Sequence, residues 1–192
     1  MQTSTRIALS LPAAAGLVLV LACGNTLGPP PPNYVNAVDT TSLFALDGTA
    51  VGLASAYNVL GIPPGPVNTE HEVNGFDFVF NITAGGQGVL LPTGAVPGLS
   101  KGSGLELTGQ QFDSIRTAPS AGFADSTAVD IQPGSVVIVR SRPTACSYGP
   151  TVYEYAKARI LVVDTIARRM DMEILVNSNC GYRDLQPGFP AH

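Results

Sequence analysis

The chain has 192 residues and a net charge of −4, and only 12% of its residues are charged, about half the usual share. That balance lacks the basic footprint of a nucleic-acid-binding protein. With 21 glycines, 16 prolines and no tryptophan, but abundant Leu, Ile, Val and Phe, it also excludes a disordered chain and favours a β-rich domain with many short connections.

Arg6 is the only charged side chain before an uncharged, largely apolar run over residues 7–22. This is the layout of a secretory signal, and it is short of the ~20 apolar residues that a permanent span requires. The run ends in Val20, Leu21, Ala22 and Cys23. These four residues resemble the lipobox of bacterial lipoproteins. The resemblance implies cleavage after Ala22 and acylation of Cys23, so that the chain is held to a membrane by lipid. Gly24, in place of an aspartate, implies the outer membrane by the same resemblance. Four prolines at 29–32 follow, and such a run favours a stiff polyproline II stalk. The expected organisation is a signal peptide over 1–22, a lipidated cysteine and linker over 23–33, and one domain over 34–192.

Within that domain, "TSLFALDGTAVGLASAY" (41–57) reads as two strands joined at Asp47-Gly48, a strong hairpin signal. "VLGIPPGPVNTEHEVNG" (59–75) breaks regular structure and reads as a surface loop, with a short strand at its end as the alternative. "FDFVFNIT" (76–83) alternates, and places Phe76, Phe78, Phe80 and Ile82 on one face as core. Short strands are expected in "GVLLPTGAV" and "GLELTGQQFDSIRTAP". "STAVDIQPGSVVIVRSRP" reads as a hairpin turning at Pro133-Gly134. The longest regular stretch predicts two strands, "TVYEYAKARILVVD" and "RRMDMEILVNS", around a turn at "TIA". Ala156, Ala158, Ile160 and Val162 share one face, matched by Met170, Met172, Ile174 and Val176. Lys157, Arg159, Asp171 and Glu173 occupy the other faces, where they can pair across the strands. A helix here is the weaker reading, because alternation and β-branched runs favour strands. The expected fold is an all-β antiparallel sandwich, with a partly closed barrel as the alternative.

With Cys23 committed to lipid, Cys146 and Cys180 form an even pair in an oxidising compartment, and a disulfide between them would clamp the open end of that long hairpin. Neither has a CxxC partner, so no zinc site is expected, and no sequence motif implies a cofactor.

Candidate chemistry is sparse. Internal histidine is limited to His71, flanked by Glu70 and Glu72 in a loop that reads as solvated and acidic. Asp171 and Glu173 have spacing compatible with a glycosidase pair, though opposing arginines would keep both ionised. The richer constellation is basic and aromatic. Tyr153, Tyr155, Lys157 and Arg159 share a strand face, and Arg140 and Arg142 share a face of the strand before it. Such side chains suit an anionic envelope polysaccharide or a protein partner. The functional expectation is therefore a cell-envelope lipoprotein carrying a non-catalytic binding or structural domain. The alternative is an envelope-anchored hydrolase using acidic residues.

Overall fold

A computed structural model describes residues 31–69, 75–146 and 151–190. The Cys23 motif, Glu70, His71 and Glu72 lie outside the described residues. The strands are β1 (Val38–Phe44), β2 (Ala56–Asn58), β3 (Gly65–Val67), β4 (Phe78–Ile82), β5 (Gly88–Pro92), β6 (Gly104–Thr108), β7 (Val129–Ile131), β8 (Val136–Arg140), β9 (Thr144–Ala145), β10 (Thr151–Val152), β11 (Tyr155–Asp164) and β12 (Arg169–Asn177). They form two antiparallel five-stranded sheets, in the orders β1-β12-β11-β8-β6 and β3-β2-β4-β5-β7, with β9 and β10 as a separate ribbon. The sheets pack face to face without closing into a barrel, so the fold is the expected all-β sandwich.

The main core lies between the sheets. Leu105, Val137, Val139, Ala156, Ala158, Ile160, Met172 and Ile174 come from the first sheet. Tyr57, Phe78, Phe80, Leu90 and Ile131 come from the second. Phe78 and Phe80 are completely buried, and each such ring contributes roughly 1.5–3 kcal/mol on burial.

Both sheets also have covered outer faces. On the first, Val136, Ile138, Tyr155 and Leu175 lie beneath Phe112, Ile115, Ala118 and Leu185. A 3₁₀ turn at Phe112–Ser114 starts this cover. The C-terminal tail completes it through Ala118 N–H to Arg183 O (2.8 Å) and Leu185 N–H to Arg116 O (2.7 Å). On the second, Phe76, Val79 and Ala56 form a smaller cluster with Leu91 and Val96.

Several local expectations are corrected. Asp47-Gly48 does not join a hairpin: β1 pairs with β12, and β2 lies in the other sheet, so the turn passes the chain between layers. Gln132–Ser135 is the expected tight turn, with Ser135 N–H donating to Gln132 O (2.9 Å) and Gly134 at φ 89°. It too joins strands of different sheets. Phe76 precedes β4 and packs in the small outer cluster, apart from Phe78 and Phe80. The 59–75 segment contains β3, paired with β2. The long hairpin of β11 and β12 forms as expected, with Ala156 opposite Val176 and Arg159 opposite Glu173. A bulge between Ile160 and Val162 then shifts the alternation. It turns Val162 to solvent and Val163 to the core, because one extra residue reverses every side chain beyond it.

Candidate functional site

Cys146 and Cys180 are joined as a disulfide, with their Cα atoms 6.0 Å apart, just beyond β9 and β12. The incoming chain is fixed beside them. Asn179 Oδ1 accepts the amides of Asn33 (2.8 Å) and Tyr34 (2.9 Å), and its Nδ2 donates to Tyr34 O (2.8 Å). Asn177 Oδ1 in turn accepts from Asn179 N–H (3.0 Å) and Nδ2 (2.9 Å). These buried amides hold Tyr34 at the mouth of a groove.

The groove is an opening between the sheets, with a volume of about 450 Å³. Its floor is core: Ile174 and Val176 of β12 face Tyr57 of β2. Tyr34, Val35 and Asp39 form one wall, and the Gly61–Pro64 turn forms the other. Gly61 has no substitute there, since a Cβ would sit 2.7 Å from Pro63 O. Ile62 crowns the turn and is 72% exposed, and Val35 and Val38 are also open to solvent. Tyr57 stacks on Phe78 at 5.6 Å. Burial, and then the Asp39 carboxylate, hold its hydroxyl protonated well above the ordinary range.

A second cavity of about 290 Å³ adjoins the first and shares Tyr34, Ile62 and Ser178. The disulfide, Asn179 and Glu154 line it. Burial, and then the charge of Asp77, push the Glu154 carboxyl up to about 7. Asp77 itself is completely buried. Its Oδ1 accepts from Arg142 N–H (2.7 Å) and Nε (3.0 Å), and its Oδ2 accepts from Val59 N–H (2.7 Å). A third depression, at the opposite end of the sandwich, lies against Asp47 and Arg168. There Arg168 is spent on Asp47 O (2.8 Å) and Ile82 O (3.1 Å).

The basic and aromatic face read from the sequence is taken apart by the covering layer. Lys157 is 2% exposed, and its Nζ donates to Phe112 O (2.8 Å) and Ile115 O (3.0 Å) while lying over the Phe112 ring. Desolvation lowers its pKa. Tyr155 is buried in the same layer. Arg159 pairs with Glu173 and also approaches Phe112. Arg142 lies past the end of β8 and turns to Asp77 and Asn58 Oδ1 (3.1 Å). Arg140 and Tyr153 remain together at the rim, with Arg140 Cζ 4.7 Å from the ring centroid. The candidate acid pair is equally committed. Asp171 accepts from Ser42 Oγ (2.6 Å) and Arg169 Nη2 (2.9 Å), and Glu173 holds Arg159.

Sequence reasoning missed Tyr34, Tyr57, Ile62 and Glu154. The available signal was an isoleucine set among prolines and glycines at 61–66, an apolar residue where a solvated loop has no use for one. The sequence matches no known family model and no curated protein.

Proposed function

We propose that the chain is a non-catalytic binding protein of the cell envelope, tethered through lipid on Cys23, which receives an extended polypeptide partner at the inter-sheet groove. The observation that carries this reading is a groove whose floor is core and whose rim exposes Tyr34, Val35 and Ile62. Clustered apolar exposure of this kind marks interaction sites. β1 is an edge strand and its first residues border the groove. The Thr40 amide donates to the neighbouring Asp39 carboxylate (2.8 Å). An extended segment can therefore pair with that edge while seating an apolar side chain between the sheets. The tether supports the same site. Eight residues at the ~3.1 Å rise of polyproline II would span about 25 Å, so a lipid on Cys23 would keep the groove close to the membrane.

The hydrolase alternative has one observation in its favour, the near-neutral Glu154. Glycoside hydrolysis needs a second carboxylate reaching the substrate. The acid acting on Glu154 is Asp77, which is completely buried and held by Arg142 and Val59. Binding is the better reading.

A photo-crosslinking residue at position 62, compared in cells with one at Ile166 on the opposite hairpin tip, tests it. Ile166 is 95% exposed and reports chance encounters. A polypeptide adduct specific to position 62, and reduced by Thr40→Pro, is expected. Equal adducts at both positions, or adducts of lipid or sugar only, contradict the proposal.

A further inference from the structure

The outer edge of β1 is open over a short row that is closed at both ends. Just before the strand, Asn36 N–H donates to Gly188 O (2.8 Å) and Gly188 N–H to Asn36 O (2.9 Å), so the C-terminal tail covers that end. At the other end Phe44 N–H donates to Ala54 O (2.9 Å), while Ala45 N–H turns the opposite way to Arg168 O (2.8 Å), beside β12. Backbone groups of successive residues in a paired strand point to alternate sides. The even-numbered residues therefore point away from β12, and the N–H and C=O groups of Val38, Thr40 and Ser42 form a row between two occupied positions. Such a row accepts a segment of about five extended residues.

Side chains decide what that segment carries. Asp39 and Thr41 lie on the same face as the core residue Leu43. Asp39 is the one charged side chain among the residues that line the groove. Among the described residues no cation lies within ion-pair distance of it. Its carboxylate accepts the Thr40 amide (2.8 Å), a bond that a strand pairing with Thr40 would replace, releasing the carboxylate. On the outer face, Glu173 and Asp171 stand across from Thr40 and Ser42, but Arg159 and Arg169 match them. The adjoining cavity has one charged residue in its lining, Glu154, and it too is an acid.

A second copy of the chain does not answer this charge. In the antiparallel register that uses the whole row on both copies, Thr40 faces its own counterpart and Asp39 faces the copy's Thr41. The two Asp39 carboxylates then lie diagonally across one face, and like charges so placed oppose pairing.

From this we infer that the polypeptide received at the groove pairs with β1 at Val38, Thr40 and Ser42 and presents a lysine or arginine to Asp39. The inference rests on the reading of the groove as a polypeptide site and adds the register and the chemistry of its partner. An acid placed there only to keep strands off the edge would leave the row unoccupied by basic and neutral segments alike.

The test is an NMR titration of the isotope-labelled, full-length protein in neutral detergent. The probes are end-capped pentapeptides of sequence Thr-Val-Thr-Lys-Thr, and the same peptide with Gln or Glu in place of Lys. Paired antiparallel, the lysine falls opposite Asp39 and the valine opposite Thr41, both on the groove side. Saturable shifts of the Val38, Thr40 and Ser42 amides are expected, with the Lys peptide about fivefold tighter than the Gln peptide, as for an exposed ion pair, and the Glu peptide weaker still. Asp39→Asn, at an exposed position, should erase the difference between Lys and Gln. N-methylation of the central threonine should abolish binding, because it removes the donor to Thr40. Equal binding of the Lys and Gln peptides, or a preference that survives Asp39→Asn, overturns the inference and leaves the groove reading standing. Unchanged binding of the N-methyl peptide overturns the strand pairing. Binding of no peptide overturns the inference too, and the crosslink at position 62 then decides the groove reading by itself. Concentration-dependent shifts of the same amides without peptide would assign the edge to a second copy and equally overturn it.

Discussion

Asp77 gives the sharpest test of how the two sheets are joined. Its carboxylate is completely buried and serves three donors: Arg142 N–H (2.7 Å), Arg142 Nε (3.0 Å) and Val59 N–H (2.7 Å). Val59 follows β2 of the second sheet, and Arg142 follows β8 of the first. The side chain therefore ties together the ends of both layers. Asp77→Ala removes every one of these acceptors. Each backbone amide left without a partner costs about 1–3 kcal/mol, and breaking a buried ion pair costs about 3–5 kcal/mol. These terms overlap, so a total near 4 kcal/mol is expected. Asp77→Asn keeps one acceptor oxygen and should lose about half as much. Equilibrium urea unfolding of wild type and both variants, extrapolated linearly to water, measures this. A loss below about 1 kcal/mol for Asp77→Ala would refute the reasoning, because no buried, singly satisfied network can lose its acceptor that cheaply.

Other expectations follow from the same structure. Glu154 has a folded pKa of about 7 against 4.5 for its ordinary value. The folded state then holds more protons than the unfolded state between those values, so stability is full below pH 4.5 and falls as pH rises through 7, by roughly 3 kcal/mol at most. Glu154→Gln should flatten that fall in unfolding curves taken at pH 4.5, 6 and 8; an unaltered pH slope would contradict it. The disulfide closes a separation of 34 residues, for which the chain-entropy model gives about 3–4 kcal/mol. The paired substitution Cys146→Ser with Cys180→Ser should lower unfolding stability by that order, and a change under 1 kcal/mol would count against the pairing. Gly104→Ala drives a methyl into Phe123, costing about 1–3 kcal/mol by overpacking. Unfolding stability unchanged from wild type would contradict the packing described.

The parts of this fold that were legible in the sequence are those governed by local alternation. The β11 and β12 stretches alternate for long enough that their pairing, their core residues up to Ile160, and the Arg159–Glu173 cross-strand pair could be read directly. Cysteine parity gave Cys146 and Cys180. What was not legible depends on distant partners. Asp47-Gly48 and Pro133-Gly134 announce turns, but turn chemistry does not say whether the next strand pairs with the last or crosses to another layer. Period-two spacing separates two faces without saying whether the second meets water or a covering layer. Lys157 looked like a solvent-facing cation for that reason, yet the carbonyls of Phe112 and Ile115 make its burial tolerable. Asp77 alternates with phenylalanines, a spacing that sets it on the opposite face from them, and Arg142 and Val59, remote in sequence, supply the donors that allow its burial. The groove draws on the 34–39, 57–64 and 174–178 segments, a juxtaposition created by folding alone.

Mass spectrometry of the mature protein, isolated from the cells that make it, tests the tether most directly. We expect a chain beginning at Cys23 with fatty acyl groups on that residue. A chain retaining Met1, with Cys23 unmodified, would contradict the placement at the envelope and the binding role built upon it.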